Sequence, residues 1–359
     1  MDKTRRSFIT SMAAAAATTP LILSANAQTA ASTPAQPANA PAAKPASAPD
    51  ADNTLKLLSF KLQNGAPARV GVALADGTVV DLVAEAARTG KTLSFNPGDM
   101  VSLIAAGDAG LVEVRELVRG AAAGRPKLTE IVYLAPIPDP RRNIYAVGWN
   151  YLEHFAEGQA ARNTDVKYPE HPVFFTKGTH CINGPYDSIP FDPKVSTMID
   201  WEGELAVIIG KHGRNIPEAE AMDYVFGYSV INDTTARDVQ NARHGGQWFK
   251  GKSLDGHGPM GPWIVTKGAF DQNDLHLVTR VNGVVKQDAN TSQMYFKVPR
   301  IIAELSLGLT LEPGDIIASG TPPGVGFARK PQEFMKPGDV METEITGIGL
   351  IRNEIKSVG

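Results

Sequence analysis

Five apolar residues, Leu205-Ala206-Val207-Ile208-Ile209, follow directly on Glu202-Gly203-Glu204, so a strand suited to burial is entered through two acids. The run is short, rich in β-branched side chains and closed by Gly210, which predicts a core strand. Residues two apart on a strand share a face, so Glu202 and Glu204 project together. Two such carboxylates repel unless a cation or a shared proton lies between them. A second apolar run, Tyr224–Ile231, leads to Asn232-Asp233 and sets a third carboxylate at a strand end. Three hard oxygen donors with no cysteine and no His-x-x-x-His nearby point to Mg²⁺, Mn²⁺ or Ca²⁺ and away from zinc. An isolated Glu-x-Glu is more often a solvated acidic face, so this reading depends on the rest of the chain.

At 359 residues the chain has room for two folded units. A formal net charge of −3 leaves no basic footprint for nucleic acid. The single cysteine, Cys181, excludes an internal disulfide framework and any Cys-x-x-Cys metal or haem site. Residues 1–27 read as a targeting signal: Lys3, Arg5 and Arg6 precede an Ala-rich apolar stretch that ends in Ala25-Asn26-Ala27. Within it, Thr4-Arg5-Arg6-Ser7-Phe8-Ile9 resembles a twin-arginine export signal, so the expected location is the periplasm. Residues 28–54 are rich in Ala, Pro, Ser and Thr and are expected to be a disordered linker. Beyond residue 27 no apolar run is long enough to span a bilayer, so no membrane association is expected after signal cleavage.

From Leu55 the pattern changes. Alternating strands around the turn Ala75-Asp76-Gly77, followed by helical spacing over Leu82–Arg88, Met100–Ala106 and Gly110–Ala123, predict a small α+β unit over 55–140. It ends in the stiff connector Pro136-Ile137-Pro138-Asp139-Pro140. The second unit, 141–359, has many short strands, few helices and frequent Gly/Pro turns, which predicts a β-rich α+β domain and not a parallel βαβ array. On the helix predicted for Asn150–Glu157, His154 and Glu157 are three apart and share a face, an arrangement suited to a general base. The glycine-rich turn Ser319–Gly326 fits neither a phosphate-binding loop nor a dinucleotide fingerprint.

Several segments in order resemble the fumarylacetoacetate hydrolase family. Gly148-Trp149-Asn150-Tyr151-Leu152-Glu153-His154-Phe155-Ala156-Glu157 is similar to its Gly-x-Asn-Tyr-x-x-His-x-x-Glu, Asp200–Gly210 to its Glu-x-Glu strand, and Asn232–Gln240 to its Asn-Asp-x-Thr-x-Arg-Asp-x-Gln. Gly251-Lys252-Ser253, Gly258–Pro262 and Ser319–Gly326 complete the set. The resemblance implies a mixed β-roll of packed sheets with a small N-terminal domain, and a homodimer. It also implies that Glu202, Glu204 and Asp233 hold a divalent cation, and that His154, supported by Glu157, moves protons or activates water. Lys252 and Gln240 are then expected to contact a small anionic 2-oxo or β-diketo acid, and Gly320 and Thr321 to bind its carboxylate or carbonyl. The acidic ligand that some members place just before the catalytic His is replaced here by Val147-Gly148-Trp149, which favours a water-rich Mg²⁺-like site over a Ca²⁺ cage.

The leading expectation is hydrolytic cleavage of a carbon–carbon bond in acylpyruvate-type β-diketo acids. An alternative keeps the site and changes the reaction to isomerisation, tautomerisation or decarboxylation of unsaturated dicarboxylic 2-oxo acids. A second alternative is a non-catalytic periplasmic binder of small 2-oxo acids. The polar stretch Gly158–Asp165 is expected to be weakly structured and to act as a mobile lid that carries His154 and Glu157.

Overall fold

The computed structural model describes residues 54–358; the expected export signal lies outside the described residues, as does the expected linker apart from Thr54. The architecture is sheet-rich α+β. The predicted core strand, Gly203–Ile209, lies inside an eleven-stranded mixed sheet, hydrogen-bonded on one side to Val225–Asn232 and on the other to Ile316–Ala318. Outward from Val225–Asn232 the order continues through Gly258–Thr266, Lys56–Lys61, Arg69–Ala73 and Val79–Asp81. Outward from Ile316–Ala318 it continues through Ile144–Gly148, which pairs in parallel, to Val173–Lys177. Segment 55–140 thus adds strands to the same sheet as the later chain, through antiparallel pairing of Lys56–Lys61 with Gly258–Thr266. A second sheet of five strands has the order Val284–Asn290, His276–Val281, Val340–Ile345, Gly349–Ser357 and Ile189–Phe191.

Period-two alternation gives the central strand two faces. Ala206 and Ile208 join an apolar cluster with Leu57, Leu103 and Ile104, while Leu205, Val207 and Ile209 join another with Leu277, Ile302 and Ile351. Odd positions therefore face the five-stranded sheet. At Gly203 the two sheets come too close for a side chain: a Cβ there would lie 2.3 Å from Thr279 Oγ1 and 2.8 Å from Thr343 Cγ2. The middle residue of Glu-x-Glu is a glycine for this reason, and the two acids are left to point the other way.

The helical stretch Met100–Arg119 is kinked at Gly107, whose backbone is non-helical (φ 57°, ψ −141°), so two helices meet there as the spacing predicts. One expectation changes. The helix bearing His154 runs from Leu152 to Arg162, well into the stretch expected to be weakly structured. Gln159-Ala160-Ala161-Arg162 are good helix formers and propagate it until Asn163 caps it in a left-handed conformation.

His257 is a buried imidazole that donates from Nε2 to the Pro190 carbonyl at 2.8 Å, tying the start of Gly258–Thr266 to Ile189–Phe191. Burial, only partly offset by this bond, holds its pKa down at about 4. An unfolded chain takes up this proton near pH 6.5, so the contribution to stability is whole above that pH and is lost as pH falls toward 4. Denaturant titrations of the wild type and His257→Gln should show the gap between them shrinking over this window, by up to about 3 kcal/mol; a gap independent of pH would refute the neutral buried state. Gly203→Ala should destabilise the chain by about 1–3 kcal/mol in the same titrations, through overpacking between the sheets.

Candidate metal and acid–base centre

The centre is assembled by strand register. Gly203 pairs with Asn232, so Asp233 arrives beside Glu202 and its N–H donates to the Glu202 carbonyl at 2.8 Å. Asn232 locks that corner. Its Oδ1 accepts from the Glu202 N–H at 3.0 Å, and its Nδ2 donates to Thr343 Oγ1 at 3.0 Å. Glu202, Glu204 and Asp233 are all buried, with one carboxylate oxygen of each lying within 4.8 Å of the others.

Three buried cations share this negative charge. Lys252 Nζ lies 2.5 Å from Glu202 Oε2 and 2.6 Å from Asp233 Oδ2, bridging two of the three carboxylates. Arg237 reaches Asp200 Oδ2 through Nε and Glu202 Oε1 through Nη2, both at 2.7 Å. Lys177, fully buried, donates to the Lys252 carbonyl and to the His257 carbonyl at 3.1 Å. Its ammonium is also 2.8 Å from Asp233 Oδ1, at ion-pair distance but outside hydrogen-bond geometry, so that buried oxygen has no hydrogen bond of its own.

Glu204 is the carboxylate left over. Among the described residues no ion pair reaches it, and its one hydrogen bond comes from the Gly320 N–H at 2.8 Å. Burial, then the charges of Asp233 and Glu202, raise its pKa well above the usual carboxylate value. Burial alone would raise Glu202 too, but Lys252 and Arg237 outweigh it and hold Glu202 below the ordinary range. For Asp233 burial wins over Lys177 and Lys252, and the net shift is upward. A buried carboxylate with no ion pair among the described residues and an all-oxygen donor set fit a hard divalent cation.

His154 faces the same pocket as Glu202 and Glu204. Its Nδ1 is 2.8 Å from Glu157 Oε1, and Glu157 Oε2 accepts from the Gly324 N–H at 2.9 Å. The dyad is therefore anchored to the Ser319–Gly326 turn, and Nε2 is the ring nitrogen left to exchange a proton. Gln240 and Thr321 line the pocket as well. Gln240 accepts from Arg237 Nη1 at 3.1 Å, and Thr321 donates to the Gly203 carbonyl at 3.0 Å while accepting from Gln287. The Gly320 N–H is occupied by Glu204. The sequence reading gave no role to Asp200, Lys177 or Arg237. Asp200 accepts from the N–H groups of Trp201, Gly326 and Phe327 as well as from Arg237, so it clamps the glycine-rich turn to the Glu-x-Glu strand. Its place at the head of the acidic stretch was the one available signal.

Residues 143–356 match the family model for the fumarylacetoacetate (FAA) hydrolase C-terminal domain. The chain belongs to the fumarylacetoacetate hydrolase family. It is 40% identical over 294 residues to oxaloacetate tautomerase YisK of Bacillus subtilis (strain 168), spanning 80% of this chain and 95% of the relative. It is 40% identical over 303 residues to the mitochondrial oxaloacetate tautomerase FAHD2A of Bos taurus, spanning 84% and 91%. Among solved structures, fumarylacetoacetate hydrolase (EaFAH) from psychrophilic Exiguobacterium antarcticum superposes with a TM-score of 0.68 at 38% identity, covering 85% of this chain and all of that one. Maleylpyruvate hydrolase from Sphingobium sp. SYK-6, in complex with manganese(II) and pyruvate, gives 0.66 at 28% identity, covering 85% and 100%. The tautomerases overturn the leading expectation of acylpyruvate cleavage. Relatives and structural neighbours in this family are named for different reactions, so a resemblance to the family could not choose between them.

Because Glu204 holds its proton above the usual carboxylate range, a divalent cation must displace that proton on binding. Affinity should rise with pH, and calorimetric heats of metal binding should differ between buffers of different ionisation enthalpy. Glu204→Gln should remove the proton release and weaken binding by at least about tenfold; identical heats in all buffers for the wild type would contradict the assignment.

Proposed function

We propose that this chain is a divalent-cation-dependent tautomerase of oxaloacetate-type 2-oxo acids, which interconverts keto and enol forms by moving one proton between C3 and the C2 oxygen. The observation that carries the reading is the His154–Glu157 dyad opening on the same pocket as the acidic triad, in a chain 40% identical to oxaloacetate tautomerases. Tautomerisation needs one mobile proton and no attacking water. His154 Nε2 can take the proton from C3 and return it to oxygen, while Glu157 fixes the Nδ1–H tautomer and stabilises the imidazolium between the two transfers. Held by Glu202, Glu204 and Asp233, Mg²⁺ or Mn²⁺ would supply positive charge against the oxygens of a 2-oxo acid. Lys252, already on Glu202 and Asp233, adds positive charge to the pocket lining. Trp149 and Trp248, ring centroids 5.0 Å apart, wall the site and limit water that would draw the proton away. The twin-arginine-like Thr4–Ile9 segment supports placing this activity in the periplasm.

The test is the rate at which the ultraviolet absorbance of enol-oxaloacetate decays with full chain and Mg²⁺ or Mn²⁺, with and without chelator, alongside product analysis on acylpyruvates. The expected result is fast, chelator-sensitive ketonisation with little pyruvate formed. His154→Asn should lower kcat by about 10²–10⁴-fold, and Glu157→Gln should lower it less. Acylpyruvate cleavage faster than oxaloacetate ketonisation would sink the reading.

A further inference from the structure

The pocket holds a second guanidinium that the acid–base machinery does not use. Arg162, the last residue of the His154 helix, lines the same pocket as Glu202, Glu204 and Arg237. Arg237 is neutralised by Asp200 and Glu202, whereas no ion pair reaches Arg162 among the described residues. Its one side-chain hydrogen bond among the described residues is a long 3.4 Å contact from Nη1 to the Gly158 carbonyl. Both guanidinium groups lie against the same ring, with Arg162 Cζ 5.3 Å and Arg237 Cζ 5.8 Å from the Phe327 centroid. Gly158 makes room for this placement, since a Cβ there would sit 3.0 Å from Arg162 Nη1. The half-buried Arg162 and the buried Arg237, like charges on one ring, repel each other. Burial first, then Arg237, disfavour the Arg162 cation, and the charge of Glu202, already paired with Arg237 and Lys252, offsets this only in part. A site that accepts both costs without a carboxylate of its own is arranged for an anion that arrives with the ligand.

We propose that Arg162 binds the distal carboxylate of a dicarboxylic 2-oxo acid, and so sets the preference for the four-carbon diacid over monocarboxylic 2-oxo acids. This rests on the tautomerase reading for the position of the ligand's 2-oxo end at the triad. The planar fork of Arg162 suits a bidentate carboxylate contact, which a lysine cannot reproduce. Arg162 acts on affinity and selectivity, whereas the proton transfer belongs to His154.

The comparison ligand is 2-oxobutanoate, which replaces the distal carboxylate of oxaloacetate with a methyl group. Dissociation constants for both are read from quenching of the pocket tryptophans in the full chain loaded with Mn²⁺, for wild type, Arg162→Met and Arg162→Lys. Arg162→Met should weaken oxaloacetate by about tenfold or more and leave 2-oxobutanoate within about twofold, which also shows that the variant is folded; Arg162→Lys should fall between. Equal weakening of both ligands, or of neither, overturns the proposal. Binding is read without turnover, so a wild type that discriminates between these ligands but does not ketonise oxaloacetate would overturn the reaction assigned above and leave the role of Arg162 standing.

Discussion

Burying three carboxylates within 4.8 Å of one another is the constraint on which the rest of the structure depends. In a low-dielectric interior such a cluster is tolerable only if cations surround it or protons fill it. The chain supplies Lys177, Lys252 and Arg237, each buried and each committed to at least one acid. The balance is incomplete at Glu204, which among the described residues has only a backbone N–H as partner and is left to hold its proton. A divalent cation that displaced this proton would complete the balance.

The fold exists around this cluster in a literal sense. Sheet register brings Asp233 to Glu202, Gly203 lets the second sheet press close behind the acids, and Asp200 pins the glycine-rich turn across the top. The turn in turn supplies N–H groups to Glu204 and Glu157. One loop therefore touches both the acidic triad and the His154–Glu157 pair, so a displacement there would disturb both.

Much of the site was legible because its parts are short-range patterns. Glu-x-Glu ahead of an apolar run predicts two same-face acids, and His-x-x-Glu on a helix predicts a dyad; the structure contains both contacts. Arg162 was hidden for the opposite reason. A polar stretch of Gly, Gln and Ala looks weakly structured, yet its helix propensity and the Asn163 cap extend the helix by a further turn and carry a guanidinium into the pocket. Lys177 carries no local signal at all: it sits at the end of an ordinary apolar strand, and its importance comes from Asp233, which is 56 residues away.

The sequence by itself determined which residue types could do chemistry, since hard oxygen donors and an imidazole backed by a carboxylate are properties of side chains at fixed spacing. It also determined the core strand that sets the acids side by side, because period-two alternation is local. Tertiary structure decided how the charges balance among the described residues: which cation meets which acid, that Glu204 is left without one, and that Arg162 faces the pocket unpaired. Those outcomes depend on distances between segments far apart in the chain, and electrostatic energy in a buried site depends on distance and burial, neither of which local spacing encodes.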